Sequence, residues 1–275
     1  MSLEVRCPVI TTIELGDMSL TRVSCLDAAI DPDAVGLMPD EVRSVSWGSP
    51  VWADDGRVRA TSCAWVVSAG ARRVVIDPSG NLDDILHDPA STVAHQAAYC
   101  AAFAAAGIPI ESVDTVLLSH IESIGLTAGR SGDGWQRFFP NARVLISDTA
   151  KTDFVEHTPP GDPGAAFNAL LAANLIDTFS DRDDIVPGLR AEWTGMHDPG
   201  HCAFHVGNDA TFVGHLALTP LHLATGPCPP QHADPDGVWR WLQTTMADGR
   251  TLLGPLWPTP GALRYADNEF EPVGL

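Results

Sequence analysis

The stretch Val113-Asp114-Thr115-Val116-Leu117-Leu118-Ser119-His120-Ile121-Glu122-Ser123-Ile124-Gly125 decides how this chain is read. Val113 to Ser119 is β-branched and apolar, so it reads as a mostly buried strand that delivers His120 at its C-terminal end. Upstream, Ser91 to Ala106 is alanine-rich and reads as a helix with Ser91 as N-cap. Gly107 stands where a left-handed residue closes a helix, and Pro109 blocks its continuation. Further upstream, Ala64-Trp65-Val66-Val67 and Arg73-Val74-Val75-Ile76 are β-prone runs around Ser68-Ala69-Gly70-Ala71-Arg72, a hairpin ending at Asp77-Pro78. Strand, helix, strand in this order predicts an α/β layer arrangement, in which sites gather at strand ends.

The theme continues downstream. Asn141 to Ser147 reads as a strand and Gly164 to Leu175 as a short helix. Cys202 to Val206 and Thr211 to Gly214 read as strands around Gly207-Asn208-Asp209. Asp234-Pro235 opens a helix with Asp at the N-cap and Pro at the first position. Trp239, Leu242 and Met246 mark its buried face, Gly249 ends it, and Thr251 to Gly254 is the last clear strand. No composition shift divides the chain, so a single domain over residues 1–275 is expected.

Composition narrows the function classes. Of 275 residues, 35 are Asp or Glu and 16 are Lys or Arg, a formal charge of −19 that opposes binding to phosphate backbones or anionic membranes. No nucleic-acid or membrane partner is expected. The longest apolar run, Ala97 to Ile108, is too short and too alanine-rich to span a bilayer. The six cysteines are scattered without a C-x-x-C pair and no signal-peptide core is seen. Free buried thiols and a cytoplasmic location are therefore the expectation.

Four places put ionisable residues at strand ends or turns: His120-Ile121-Glu122, His197-Asp198-Pro199-Gly200-His201, Gly214-His215 and Asp77-Pro78. His120 and Glu122 share a face if the loop stays extended, since residues i and i+2 then point the same way. Imidazole nitrogen and carboxylate oxygen are ordinary zinc ligands, and three protein ligands suffice for a catalytic ion with an open position. On spacing alone a His-x-Glu is equally an ordinary polar loop. Asp77 before Pro78 is equally a turn-closing aspartate. There is no G-x-S-x-G elbow, no Walker loop and no G-x-G-x-x-G after a strand.

The order of these pieces resembles the metallo-β-lactamase superfamily, most of all its branch of lactonases and organophosphate hydrolases. The run from Val113 to His120, then Ile124-Gly125 and Phe139 to Arg143, is similar to the strand that ends in the family's T-H-x-H-x-D-H-x-G motif. His197-Asp198-Pro199-Gly200-His201 is similar to its G-H-T-P-G-H turn, and Phe212 to His215 to its strand followed by Gly-Asp. Gly254 to Pro258 resembles the closing strand, and Val66 to Pro78 the early hairpin ending in an aspartate that supports the metal loop. The likeness covers roughly residues 58–265. It implies a four-layer αββα sandwich.

The resemblance also implies where this chain departs. Its first motif is two residues short. His120 matches the first histidine, Glu122 falls on the second histidine or on the aspartate, and Ser123 stands where the last histidine would be. His197 matches the turn histidine, His201 the structural one after it, His215 replaces the bridging aspartate and Leu256 the final histidine. Two dications side by side need anionic ligands to offset their repulsion, so a dinuclear zinc centre is not expected. What is implied is at most a mononuclear hydrolase of lactone- or ester-like small molecules. His120, His197 and His215 would hold one zinc or other divalent ion, with Glu122 as fourth ligand or general base. The alternative is a non-enzymatic module that binds a small molecule or protein in the same cleft. Trp135, Phe138, Leu216, His222, Leu256 and Trp257 are the pocket-lining candidates. His205 reads as a strand histidine, and His87, His95, His157 and His232 as surface or helix residues. Relatives often dimerise, so a homodimer is consistent with the resemblance.

Overall fold

Two sheets lie face to face in the structure, a computed structural model that describes residues 4–5, 10–78, 91–131, 134–157, 162–226, 231–258, 261–267 and 269–273. The first sheet runs in the order Glu4–Val5, Met18–Ile30, Arg57–Ala69, Arg72–Ile76, Thr115–Leu117, Arg143–Ser147 and Ile176–Phe179. Ile10–Leu15 and Ala53–Asp54 pair beside this path. Its first half is antiparallel, built on the long pairing of Met18–Ile30 with Arg57–Ala69. From Arg72–Ile76 onward it is parallel. A parallel step needs a crossover, and the helix Ser91–Ala105 supplies the first one. Helices Asp148–Glu156 and Asp162–Ala172 supply the last.

The second sheet runs Asp184–Val186, Leu189–Trp193, Cys202–Val206, Ala210–Phe212, Thr251–Leu253, Ala262–Ala266 and Glu269–Pro272. Ala210–Phe212 and Thr251–Leu253 are parallel, and the helix Pro235–Ala247 makes the crossover between them.

Strand alternation sorts the side chains into layers. Trp65, Val67, Val74, Ile76 and Leu117 of the first sheet meet Phe204, Val206, Phe212 and Leu253 of the second in one buried cluster. Their neighbours Ala64, Val66, Val75 and Val116 point the other way, into the cluster that holds Tyr99, Ala102 and Phe103 of the helix Ser91–Ala105. On the far side, Leu252 packs in the same way with Val238, Leu242 and Met246 of the helix Pro235–Ala247. The result is the α/β/β/α sandwich that the sequence predicts. Each fully buried Val, Leu or Phe of the seam contributes roughly 1.5–3 kcal/mol of apolar burial. The Trp65 indole N–H also donates to Gly254 O at 3.1 Å, which ties the sheets together.

Several elements differ from the sequence expectation. The strand before His120 is only Thr115–Leu117, and Gly214 opens a 3₁₀ turn, Gly214–Ala217, instead of closing a strand. Cys25, Cys63 and Cys202 are buried free thiols, but Cys100 is exposed, because Tyr99, Ala102 and Phe103 form the sheet-facing side of its helix. Cys7, Cys228 and His87 lie outside the described residues. Among the described residues no helix is long and apolar enough to cross a membrane.

Candidate metal centre

One edge of the sandwich collects the ends of four strands. Arg72–Ile76 ends at Asp77, Thr115–Leu117 leads to His120, Leu189–Trp193 leads to the turn holding His197, and Ala210–Phe212 leads to His215. Cys202 N–H donates to Ser119 O at 2.8 Å, so the two sheets are stitched together at this edge. His120, Glu122, His197 and His215 come together here, each offering one ligand atom, and these atoms all lie within 4.8 Å of one another. The ring centroids of His120 and His215 are 4.1 Å apart, those of His120 and His197 4.9 Å, and those of His197 and His215 5.3 Å.

The loop that aims His120 and Glu122 is not extended, as alternation on a strand requires. His120 itself is extended, with φ −164° and ψ 178°, and the chain then winds into a 3₁₀ helix, Ile121–Thr127. That turn still brings Glu122 Oε2 to 3.9 Å from His120 Nε2, beyond hydrogen-bond range but within reach of its charge. His120 is completely buried, and Nε2 has no hydrogen-bond partner among the described residues.

The other face of the His120 ring is fully engaged. Asp77, which adopts φ +38°, accepts Ser119 N–H at 2.7 Å and Ser119 Oγ–H at 2.5 Å. Ser119 Oγ lies 3.1 Å from His120 Nδ1, and Ser123 Oγ lies 2.9 Å from the same nitrogen. The Ser119 proton is committed to Asp77, so an N–H on His120 Nδ1 has acceptors in Ser119 Oγ and Ser123 Oγ, and in that tautomer Nε2 turns a lone pair toward the cluster. Ser123, at the position of a metal-binding histidine in the resemblance, is thus a partner of His120 from behind.

His215 is placed through His201. The fully buried His201 ring accepts the His215 backbone N–H at Nε2, 3.1 Å away, and its Nδ1 lies 2.7 Å from Thr194 Oγ1. Gly214 is required at this spot. It sits at φ +56°, and a Cβ would lie 2.6 Å from His201 Nε2 and 3.1 Å from Ser119 Cβ. His197 has a neighbour in His232, which the sequence alone places at the surface or in a helix. His232 is buried, and its Nδ1 is 3.2 Å from His197 Nδ1. Two hydrogen bonds bring it in, Ala233 N–H to His197 O and Asp234 N–H to Met196 O. Such a long-range pairing leaves no local trace in the sequence.

Electrostatics separate the histidines. Burial holds His201 and His215 well below the ordinary imidazole value and brings His197 to about 3 and His232 to about 4, so these rings are neutral near pH 7. Burial also pulls His120 down, but the carboxylates of Glu122, Asp198 and Asp77 outweigh it and the net shift is upward. The facing His120 ring lowers Glu122, which is exposed and ionised. Burial raises Asp77 to about 6. Imidazole nitrogens faced by the carboxylate of Glu122 are an arrangement suited to a cation.

The remaining candidates are dispersed. Leu216, Leu256 and Trp257 are core side chains, and the Trp257 indole N–H donates to Ala217 O at 2.8 Å. Trp135 and Phe138 are half-buried against the same core. His222 is buried and donates from Nε2 to Val35 O at 2.9 Å. His205 is bonded to Thr211 Oγ1 and Glu192, and His157 is exposed beside Asp153. His95 lies in the helix Ser91–Ala105.

This architecture, with its site at the sandwich edge, is the metallo-β-lactamase fold. The crystal structure of hydrolase AbOPH of the β-lactamase superfamily matches with a TM-score of 0.75 at 20% identity, covering 98% of this chain and 99% of that one. AidC, a dizinc quorum-quenching lactonase in complex with its product, matches with a TM-score of 0.74 at 14% identity, over 98% of both chains. A probable metal-dependent hydrolase from Staphylococcus aureus matches at 0.70 and 16% identity, over 94% of this chain and 96% of that one. No protein-family model and no curated protein matches the chain.

Proposed function

We propose that the chain is a metal-dependent hydrolase working from a single ion held by His120, His197 and His215, and that its substrates are small lactone- or ester-like molecules. The observation that carries this reading is the convergence of four donor atoms within 4.8 Å, one of them a buried imidazole nitrogen with no other partner. The donor set fits. Three imidazoles and a carboxylate match a divalent ion of the zinc type, and His120 has the outer-shell support that ligating histidines carry. A divalent ion bound there supplies Lewis acidity, polarising a carbonyl and lowering the pKa of water.

The chain's own residues do the rest. Asp77, Ser119 and Ser123 hold the His120 ring in place, and His201 fixes the backbone that carries His215. Glu122 is ionised and reaches both solvent and the cluster, which suits a residue that takes a proton from water and returns it to the leaving oxygen. A second ion is not part of the proposal, since Ser123 is bonded to His120 and Leu256 is a buried apolar side chain. The test is hydrolysis of an acyl-homoserine lactone and of a simple aryl ester, before and after chelation. Activity lost on chelation, restored by about one equivalent of zinc or manganese and cut by at least about a hundredfold in Glu122→Gln supports the reading. Activity that survives chelation contradicts it.

A further inference from the structure

The outer face of the second sheet carries a cavity of about 470 Å³ under the C-terminal half of the helix Pro235–Ala247. Three guanidinium groups line it, those of Arg190, Arg240 and Arg250. Two carboxylates, Glu192 and Asp248, also line it, so the wall sums to 3 − 2 = +1 in a chain that sums to −19. Arg43, Arg57, Arg72, Arg143 and Arg182 each pair with an aspartate, whereas Arg59, Arg137 and Arg264 bond neutral oxygens. Arg190 and Arg250 do not have a carboxylate at ion-pair distance among the described residues, and Arg240 reaches Asp234 only at 3.9 Å.

Glu192 feels the charge of Arg190, but its direct hydrogen bonds go elsewhere. Both oxygens of Glu192 are taken, Oε1 by the Trp241 indole N–H at 2.9 Å and Oε2 by His205 Nε2–H at 2.5 Å. The guanidinium of Arg250 can only donate, so its Nη1, 3.1 Å away, faces the single lone pair of His205 Nδ1, with Thr211 Oγ1 alongside at 3.0 Å. Arg250 is therefore anchored by the buried His205 ring and not by a carboxylate, and its remaining N–H groups are left for the cavity. Guanidinium forks of this kind recognise phosphate and carboxylate oxygens. The volume is that of a metabolite site.

We propose that this cavity is a binding site for a small ligand carrying an oxyanion group, a phosphate or a carboxylate cluster, separate from the metal centre. The test is calorimetric titration of the full chain with inorganic phosphate, pyrophosphate and citrate, with the Trp241 indole N–H followed by NMR. The site predicts saturable one-to-one binding of at least one probe and movement of the Trp241 resonance. Arg250→Gln and Arg190→Gln each weaken it by about tenfold. Arg190 is exposed, so its variant folds even if Arg250→Gln disturbs His205. Arg43→Gln, at an exposed arginine already paired with Asp40, leaves the binding unchanged. Pyrophosphate without citrate identifies the ligand as a phosphate, and citrate without pyrophosphate as a carboxylate. No saturable binding of any probe, or equal weakening by all three arginine substitutions, overturns the proposal.

Discussion

Replacing His222 by Gln removes a histidine that burial keeps neutral. The ring is 1% exposed, its Nε2–H donates to Val35 O at 2.9 Å, and Nδ1 has no partner. Protonation would put a second N–H into that unpartnered position, and burial accordingly brings the pKa from 6.5 to about 4. The sign follows from linkage. The folded value lies below the unfolded one, so the associated stability is complete above 6.5 and is lost as pH falls toward about 4. At pH 5 the unfolded ring has taken up nearly a whole proton and the folded ring about a tenth of one, a loss of ~2 kcal/mol relative to pH 7. His222→Gln keeps a donor for Val35 and removes the titration. Urea unfolding of both proteins at pH 7 and pH 5 isolates this contribution, because His197 and His232 titrate with the same sign in each. Any stability deficit of the variant should shrink by ~2 kcal/mol at pH 5. A gap that is the same at both pH values would show that the buried His222 ring does not resist protonation.

Three further substitutions probe the supports of the site. Ser123→Ala removes the oxygen 2.9 Å from His120 Nδ1. Zinc affinity measured by competition with a chromophoric chelator should fall by about tenfold, and Ser123→Thr, which keeps the oxygen, should restore it. Gly200→Ala places a Cβ 2.4 Å from Ala150 Cα, against the first turn of the helix Asp148–Glu156. The backbone there cannot yield cheaply, so urea unfolding should show a loss of ~3 kcal/mol. Asp234→Ala removes the acceptor for Gly237 N–H at the start of the helix Pro235–Ala247, a cap worth ~1 kcal/mol in thermal or urea unfolding.

How far the sequence reaches depends on the range of the interaction. The hairpin of Arg57–Ala69 and Arg72–Ile76 is legible because β-branched runs and the Gly70 turn are local signals. The helix Pro235–Ala247 is legible from Asp234, Pro235 and its apolar spacing. The long strand Met18–Ile30 is not, because it carries Arg22 fully buried in its middle, and its register shifts between Ser24 and Leu26. Polar residues and a bulge erase the alternation on which strand reading relies. At the site, His120, His197 and His215 are legible through the order of their strand ends. His232 is not, because backbone bonds to Met196 and His197 bring it there. Alternation brings His120 and Glu122 together only on an extended loop, whereas they meet on a 3₁₀ turn, a shape that the spacing of two residues does not specify.

A single-ion centre at the sandwich edge makes a definite demand on the metal content of protein purified without chelator. Elemental analysis should find about one divalent ion per chain, absent from both His120→Ala and His197→Ala while those variants stay folded by circular dichroism. No stoichiometric metal, together with unfolding that is indifferent to added zinc, would contradict it, as would two ions per chain or one ion that both variants retain.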